Sequence, residues 1–158
     1  MSLKASLVTI LFIGCFYLNL TGNATAASKD IYQKIEETIP LYLNKPYKLY
    51  REGPKRFDCS GFVWRVLYES GVPVQRTSCR KLYLMLSPTT ETERFHFANI
   101  IFFRNLKHCG IIRDSDSFYH ASRLLGTAVS TLNGYWRTKV FGIKQPFLKA
   151  KKYYFSKE

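Results

Sequence analysis

Apolar positions recur at helical spacing in the first half of the chain and then merge into nearly continuous runs in the second. Ile31, Ile35 and Ile39 repeat every fourth residue, so a short helix is expected over 28–38, capped by Ser28 and ended by Pro40. Phe62, Val63, Val66 and Leu67 form one apolar face of a second helix, which Asp58 opens and Gly71 stops just past Ser70. Thr77 or Ser78 caps a third through Lys81, Leu82, Leu84 and Met85. Leu41 to Tyr50, Gly53-Pro54-Lys55-Arg56 and Ser87 to Glu93 read as loops and turns. Beyond them the runs 97–103, 108–112, 118–121, 127–132 and 139–143 read as strands. Their connections are Asn105-Leu106-Lys107, Asp114-Ser115-Asp116-Ser117 and Asn133-Gly134-Tyr135-Trp136. Helices followed by an antiparallel meander predict an α+β fold in one domain, with about five strands.

The first 26 residues stand apart. Lys4 is their only charge, 5–20 is an apolar run, and Ala24-Thr25-Ala26 is a small-residue cleavage site, the pattern of a secretory signal peptide. Export to the periplasm or the exterior is therefore expected, with 27–158 as the mature domain. A membrane anchor needs about 20 apolar residues, and this run is shorter. Lipidation at Cys15 fits less well than cleavage after Ala26, because Phe12 is unusual at that kind of site and Phe16-Tyr17-Leu18 continues the apolar run. With 46% apolar and 16% aromatic residues the domain has ample core material. The net charge of +13 draws it to anionic wall or membrane polymers. That charge is spread along the chain, concentrated only at 48–56 and in a basic tail from 147 to 158, so specific nucleic-acid binding is not expected.

Loss of Cys15 with the leader leaves Cys59, Cys79 and Cys109, an odd number. Cys79 and Cys109 either form a bridge or remain as two buried thiols; the spacing does not choose. Cys59 falls at the first position of the Asp58 helix, where unpaired backbone N–H groups and the positive end of the helix dipole favour a thiolate. A cysteine on an apolar helix is more often structural, but this one lies at the helix start and off its apolar stripe. A cysteine peptidase also needs a histidine beside the thiolate and a polar group to orient it. His108 and His120 begin and end a hairpin. If it turns near Ser115 the two are directly opposite, with Cβ atoms about 5 Å apart on one face. That face can then meet the start of the Asp58 helix. His96 has no such partner. Zinc on Cys59, Cys109, His108 and His120 is disfavoured, because adjacent residues 108 and 109 point to opposite faces of a strand; no metal and no cofactor is expected.

Six blocks in order, Phe57-Asp58-Cys59-Ser60-Gly61-Phe62-Val63, Arg76-Thr77-Ser78, Ile101-Phe102-Phe103, His108-Cys109-Gly110-Ile111-Ile112, Phe118-Tyr119-His120-Ala121-Ser122 and Tyr135-Trp136, closely resemble the NlpC/P60 cell-wall peptidases. The resemblance runs from about Leu43 to Pro146. It implies a papain-like α+β core and cleavage of peptidoglycan stem peptides, typically between γ-D-glutamyl and a diamino acid. It also implies Cys59 as nucleophile, His108 as general base and acid, and His120 as the orienting residue. Asp58 and Ser60 would recognise the substrate's free amino end, and Tyr47 would line the site. The chain departs from the family in having Tyr50-Arg51-Glu52-Gly53 where a glycine pair is usual, Ala98-Asn99 where Gly-Asp is usual, and Cys109 where Val is usual.

Each assignment has a plainer counterpart. Asp58 could be an N-cap alone, Tyr47 could be packing, and the histidines could be ordinary strand residues. An inactive module that holds wall peptides, an exported amidase toxin and an acyltransferase on the same scaffold are the alternative functions. Oligomeric state is left open by the sequence.

Overall fold

The computed structural model describes residues 29–149. The leader assigned to 1–26, the cap assigned to Ser28 and most of the basic tail lie outside them. Helix α1 covers 29–38 and runs directly into a 3-10 turn, Ile39–Tyr42. Pro40 was expected to stop the chain's helical path. It sits instead in the first turn of the 3-10 segment, where its missing N–H has no helical partner to lose. Helices α2 (Cys59–Glu69) and α3 (Cys79–Met85) follow. Asp58 accepts from the Gly61 amide at 2.7 Å and Ser78 accepts from that of Lys81, so the side-chain caps are the ones the sequence indicates.

Among the described residues six strands, one more than the five or so expected, form one antiparallel sheet in the order β1-β6-β2-β3-β4-β5. They are β1 (Leu86–Pro88), β2 (Ile100–Phe103), β3 (His108–Asp114), β4 (Ser117–Ser122), β5 (Gly126–Thr131) and β6 (Val140–Leu148). The extra strand, β1, has too few residues to show a period-2 pattern and ends on a proline, so it reads as loop. It pairs Leu86 with Leu148 of β6, which carries ordered chain past the expected tail boundary at 147. Strand β2 starts three residues later than the apolar run, because Ala98 is left-handed at φ 68° and breaks the extended path. Asn133 to Trp136, read as a connection, closes into the single-turn helix α4 (Gly134–Arg137).

The sheet divides the interior. Helix α2 lays Phe62, Val63, Val66 and Leu67, all fully buried, against Ile100, Phe102, Cys109 and Ile111 on one face. Each of those α2 side chains contributes roughly 1.5–3 kcal/mol by leaving water. The other face gathers Ile101, Phe103, Ile112 and Phe118 beneath Trp136. Period-2 alternation along β2 and β3 sends neighbours to opposite clusters, which is why β2 and the 109–112 stretch of β3 carry no polar side chain.

Candidate active site

The loop before α2 is pinned at both ends. Phe57 is fully buried, its amide bonded to the Pro46 carbonyl and its carbonyl to the Lys48 amide. The Asp58 amide donates to the Arg51 carbonyl at 2.7 Å. Gly61 packs its α-carbon against the same stretch, since a Cβ there would come within 2.2 Å of the Arg51 carbonyl oxygen. These contacts fix where α2 begins, and so where Cys59 stands.

Around the cysteine is a set of charged contacts that the sequence does not display. Arg76 donates from Nη2 to both Asp58 oxygens at 3.2 and 2.9 Å, from Nη1 to Ser60 Oγ at 3.1 Å, and from Nε to Glu52 Oε2 at 3.0 Å. Ser60 Oγ donates to Asp58 Oδ1 at 2.9 Å. The Asp58 carboxylate, in a residue only 4% exposed, is thus filled by Arg76, Ser60 and the Gly61 amide. Glu52, with a side chain 45% exposed, lines the cavity beside Asp58 and Ser60. Arg76 could have been found only as a cation inside a motif block, because its partners are 16 to 24 residues away.

Across the cleft, His108 Nε2 lies 2.9 Å from His120 Nδ1, and His120 Nε2 lies 2.8 Å from Ser130 Oγ. The two imidazoles meet as expected but in a different register. His120 is the cross-strand partner of Gly110, not of His108. Asp114 accepts from the Asp116 amide at 2.9 Å and from Ser117 Oγ at 2.7 Å, which tightens the turn and moves the pairing by two residues. An even shift keeps both rings on one face. That face is the Phe103, Phe118 and Trp136 side, not the one α2 covers. His108, the first residue of β3, lines one cavity with Cys59 and helps to lower its thiol pKa. Trp136 stacks on it with ring centroids 5.4 Å apart. Neither Trp136 nor Ser130 carried a role in the sequence reading, and Ser130 lies in a strand pattern with nothing to mark it.

Cys59 is half-buried, with free thiols of Cys79 and Cys109 behind it. The Cys79–Cys109 bridge considered from the sequence is not formed: the sulfurs are 3.2 Å apart as a thiol contact. Hydrogen bonds from the Cys109 and Cys79 thiols hold the Cys59 thiol far below its usual pKa, with a further contribution from His108 against the opposing effect of burial. For Cys79 the Cys109 hydrogen bond acts downward, but the contact to Cys59 and burial outweigh it and push the thiol up. Burial, then hydrogen bonds to the other two sulfurs, raise Cys109. One thiolate is therefore favoured, and it is the one facing the cleft. Burial, and then the charge of His108, lower His120 to about 4, so it is a neutral ring at ordinary pH.

Cys59 separates two cavities. One of about 650 Å³ contains His108, His120, Ser130, Trp136 and Tyr47. The other, of about 500 Å³, contains Asp58, Ser60, Glu52, Arg76 and again Tyr47. Burial, then the charge of Cys59, raise the Tyr47 hydroxyl, keeping it a neutral hydrogen-bonding group. A larger cavity of about 820 Å³ near Lys139 and Phe141 has no cysteine or histidine in its lining.

A profile of the NlpC/P60 family matches residues 44–145. The "Probable peptidoglycan endopeptidase LytE" of Bacillus subtilis is 30% identical over 117 residues, which are 71% of this chain and 34% of that protein. This chain thus spans about a third of the length of that relative. Its fold is similar to that of a Staphylococcus aureus protein described as similar to lipoprotein, NLP/P60 family. There the TM-score is 0.65 at 24% identity, over 74% of this chain and 41% of the other. It is also similar to the peptidoglycan hydrolase RipB of Mycobacterium tuberculosis, with TM-score 0.61 at 16% identity over 77% of this chain and 67% of the other. The block order, the matched span and the shared fold lead to one conclusion: this chain belongs to the NlpC/P60 family.

Proposed function

We propose that the chain is an exported cysteine endopeptidase that hydrolyses peptidoglycan stem peptides at the γ-D-glutamyl–diamino acid bond. The observation that carries this reading is the connected line of His108, His120 and Ser130 in one cleft with a cysteine whose thiolate is favoured. The relative described as a probable peptidoglycan endopeptidase supports the substrate class.

In the resting pair, Cys59 is the thiolate and His108 the imidazolium. Its Nε2–H then donates to His120 Nδ1, and the neutral His120 passes its own Nε2–H to Ser130 Oγ. This leaves His108 Nδ1 towards the sulfur. The thiolate attacks the scissile carbonyl, and the Cys59 amide at the start of α2, outside the Asp58 cap contacts, donates to the oxyanion. His108 gives its proton to the leaving amine, and water then hydrolyses the thioester with His108 as base. The free amino end of the stem peptide binds in the cavity of Asp58, Ser60 and Tyr47. Arg76 engages Asp58, Ser60 and Glu52 alike, and of the two carboxylates that of Glu52 is the more exposed to an incoming amine. The leader at 1–26 directs export, and basic surface holds the domain to anionic wall or membrane polymers.

The test is mass spectrometry of purified peptidoglycan digested with the protein and with Cys59→Ala. Fragments ending in γ-D-glutamate should appear with the first and be absent with the second, while both keep the same circular dichroism and melting temperature. Cleavage by Cys59→Ala would refute the assignment.

A further inference from the structure

Cys59, Cys79 and Cys109 bring their sulfurs within 4.8 Å of one another. The sulfur of Cys79, the first residue of α3, lies 3.7 Å from that of Cys59 and 3.2 Å from that of Cys109. The peptidase mechanism uses Cys59 alone. Buried thiols serve well as small apolar fillers, and Cys109, fully enclosed between α2 and the sheet, needs no other reason to be there. Cys79 differs. It lines the cavity of about 500 Å³ together with Cys59, so a small molecule that reaches the nucleophile is also beside Cys79.

A thiolate open to solvent is the first sulfur to be oxidised, and its fate depends on whether a second thiol is near enough to trap the sulfenic acid. We propose that Cys79 is the resolving thiol of Cys59: after a hydroperoxide oxidises Cys59, Cys79 closes a reversible Cys59–Cys79 disulfide that halts the enzyme and protects its nucleophile. The proposal rests on Cys59 being a thiolate, as in the function proposed above, and not on which bond is cut.

The chemistry balances in two steps. The Cys59 thiolate attacks one oxygen of the hydroperoxide. The S–O bond forms, the O–O bond breaks, and the departing alkoxide or hydroxide takes a proton. Sulfur is oxidised by two electrons and the hydroperoxide is reduced by two. The Cys79 sulfur then attacks the sulfenic sulfur; the S–S bond forms, the S–O bond breaks, and hydroxide leaves with the Cys79 proton as water. Two equivalents of an external thiol reverse the bridge and return both cysteines. Cys109 competes for Cys79, and removing it leaves Cys59–Cys79 as the only disulfide that the described residues can form.

The experiment exposes wild type, Cys109→Ala and Cys79→Ala to hydrogen peroxide, blocks free thiols by alkylation and maps the unreduced peptides by mass spectrometry. Each protein's activity on muropeptides is measured relative to its own untreated sample. Cys109→Ala should yield a cross-linked Cys59–Cys79 peptide, two hydrogens lighter than the separate thiols. Its lost activity should return with dithiothreitol. In Cys79→Ala, Cys59 should gain two oxygens as the sulfinic acid, roughly tenfold faster than in Cys109→Ala, and dithiothreitol should not restore it. If Cys109→Ala fails to fold, wild type against Cys79→Ala gives the same comparison. Absence of the Cys59–Cys79 peptide, or equal rates of sulfinic acid formation with and without Cys79, would overturn the proposal. The cross-link is read without substrate, so a protein that forms it yet cuts no peptidoglycan refutes the peptidase reading and leaves the pairing intact.

Discussion

His108 Nε2 and His120 Nδ1 are 2.9 Å apart although the two residues are not partners in the β3–β4 ladder. The partner of His120 is Gly110, and a Cβ on that glycine would lie 2.5 Å from the Tyr119 carbonyl oxygen and 3.3 Å from the His120 Cβ. The missing side chain clears the diagonal. Diagonal neighbours on a sheet have backbones about 7–8 Å apart, a span that two imidazoles bridge edge to face. Here the ring planes are 85° apart, which points a nitrogen of one ring at a nitrogen of the other.

The buried state of His120 has a consequence for stability. Its pKa falls from 6.5 to about 4 on folding, through burial first and the His108 charge second. The unfolded chain therefore binds the extra proton more readily between these values. The stabilising effect of the neutral ring is complete above pH 6.5 and is lost as pH falls towards 4. Urea unfolding across this range should show a decline on the order of 2 kcal/mol from this residue. His120→Asn should flatten it; an unchanged slope in that variant would count against the assignment.

Arg76 neutralises a carboxylate that water scarcely reaches. Arg76→Ala leaves Asp58 buried with its cap and Ser60 contacts but no cation, a loss of about 2–3 kcal/mol once partial exposure of the arginine is allowed for. Arg76→Lys should recover only part of it, because an ammonium cannot reach Asp58, Ser60 and Glu52 together in the fork geometry seen here. Equilibrium unfolding of the three proteins checks both statements.

At Gly61 the limitation is space. A methyl group would meet the Arg51 carbonyl at 2.2 Å and the Glu52 α-carbon at 2.9 Å, both backbone atoms of the loop that receives the Asp58 amide. Gly61→Ala gains helix propensity and loses that fit. We expect a net destabilisation of about 1–3 kcal/mol from overpacking. Turnover should fall more than this implies, since moving α2 shifts Cys59 relative to His108. Melting temperature and kcat measured together separate the two effects; a variant as stable and as active as wild type would exclude the tight seat.

Much of the layout was legible in the residues because it follows from local periodicity. Caps at Asp58 and Ser78, the stop at Gly71 and the apolar runs of β2 and β3 depend on neighbours in the chain. The elements misjudged are those where a distant partner overrides local preference. Pro40 continues into a 3-10 turn, Leu86–Pro88 becomes a strand only because β6 lies beside it, and Ala98 takes a left-handed backbone that shortens β2.

The sequence by itself determined that a cysteine opens an amphipathic helix, that two histidines share a hairpin face, and that helices precede an antiparallel sheet. These are matters of spacing along one chain, and an even slip in register leaves the facing of side chains unchanged. Only the tertiary structure decided that Arg76 fills Asp58, that Ser130 completes the line behind His120, and that Cys79 and Cys109 come up beside the nucleophile. Those contacts join residues that carry no mark of each other in the chain, and packing of α2 and α3 against the sheet is what brings them within bonding distance.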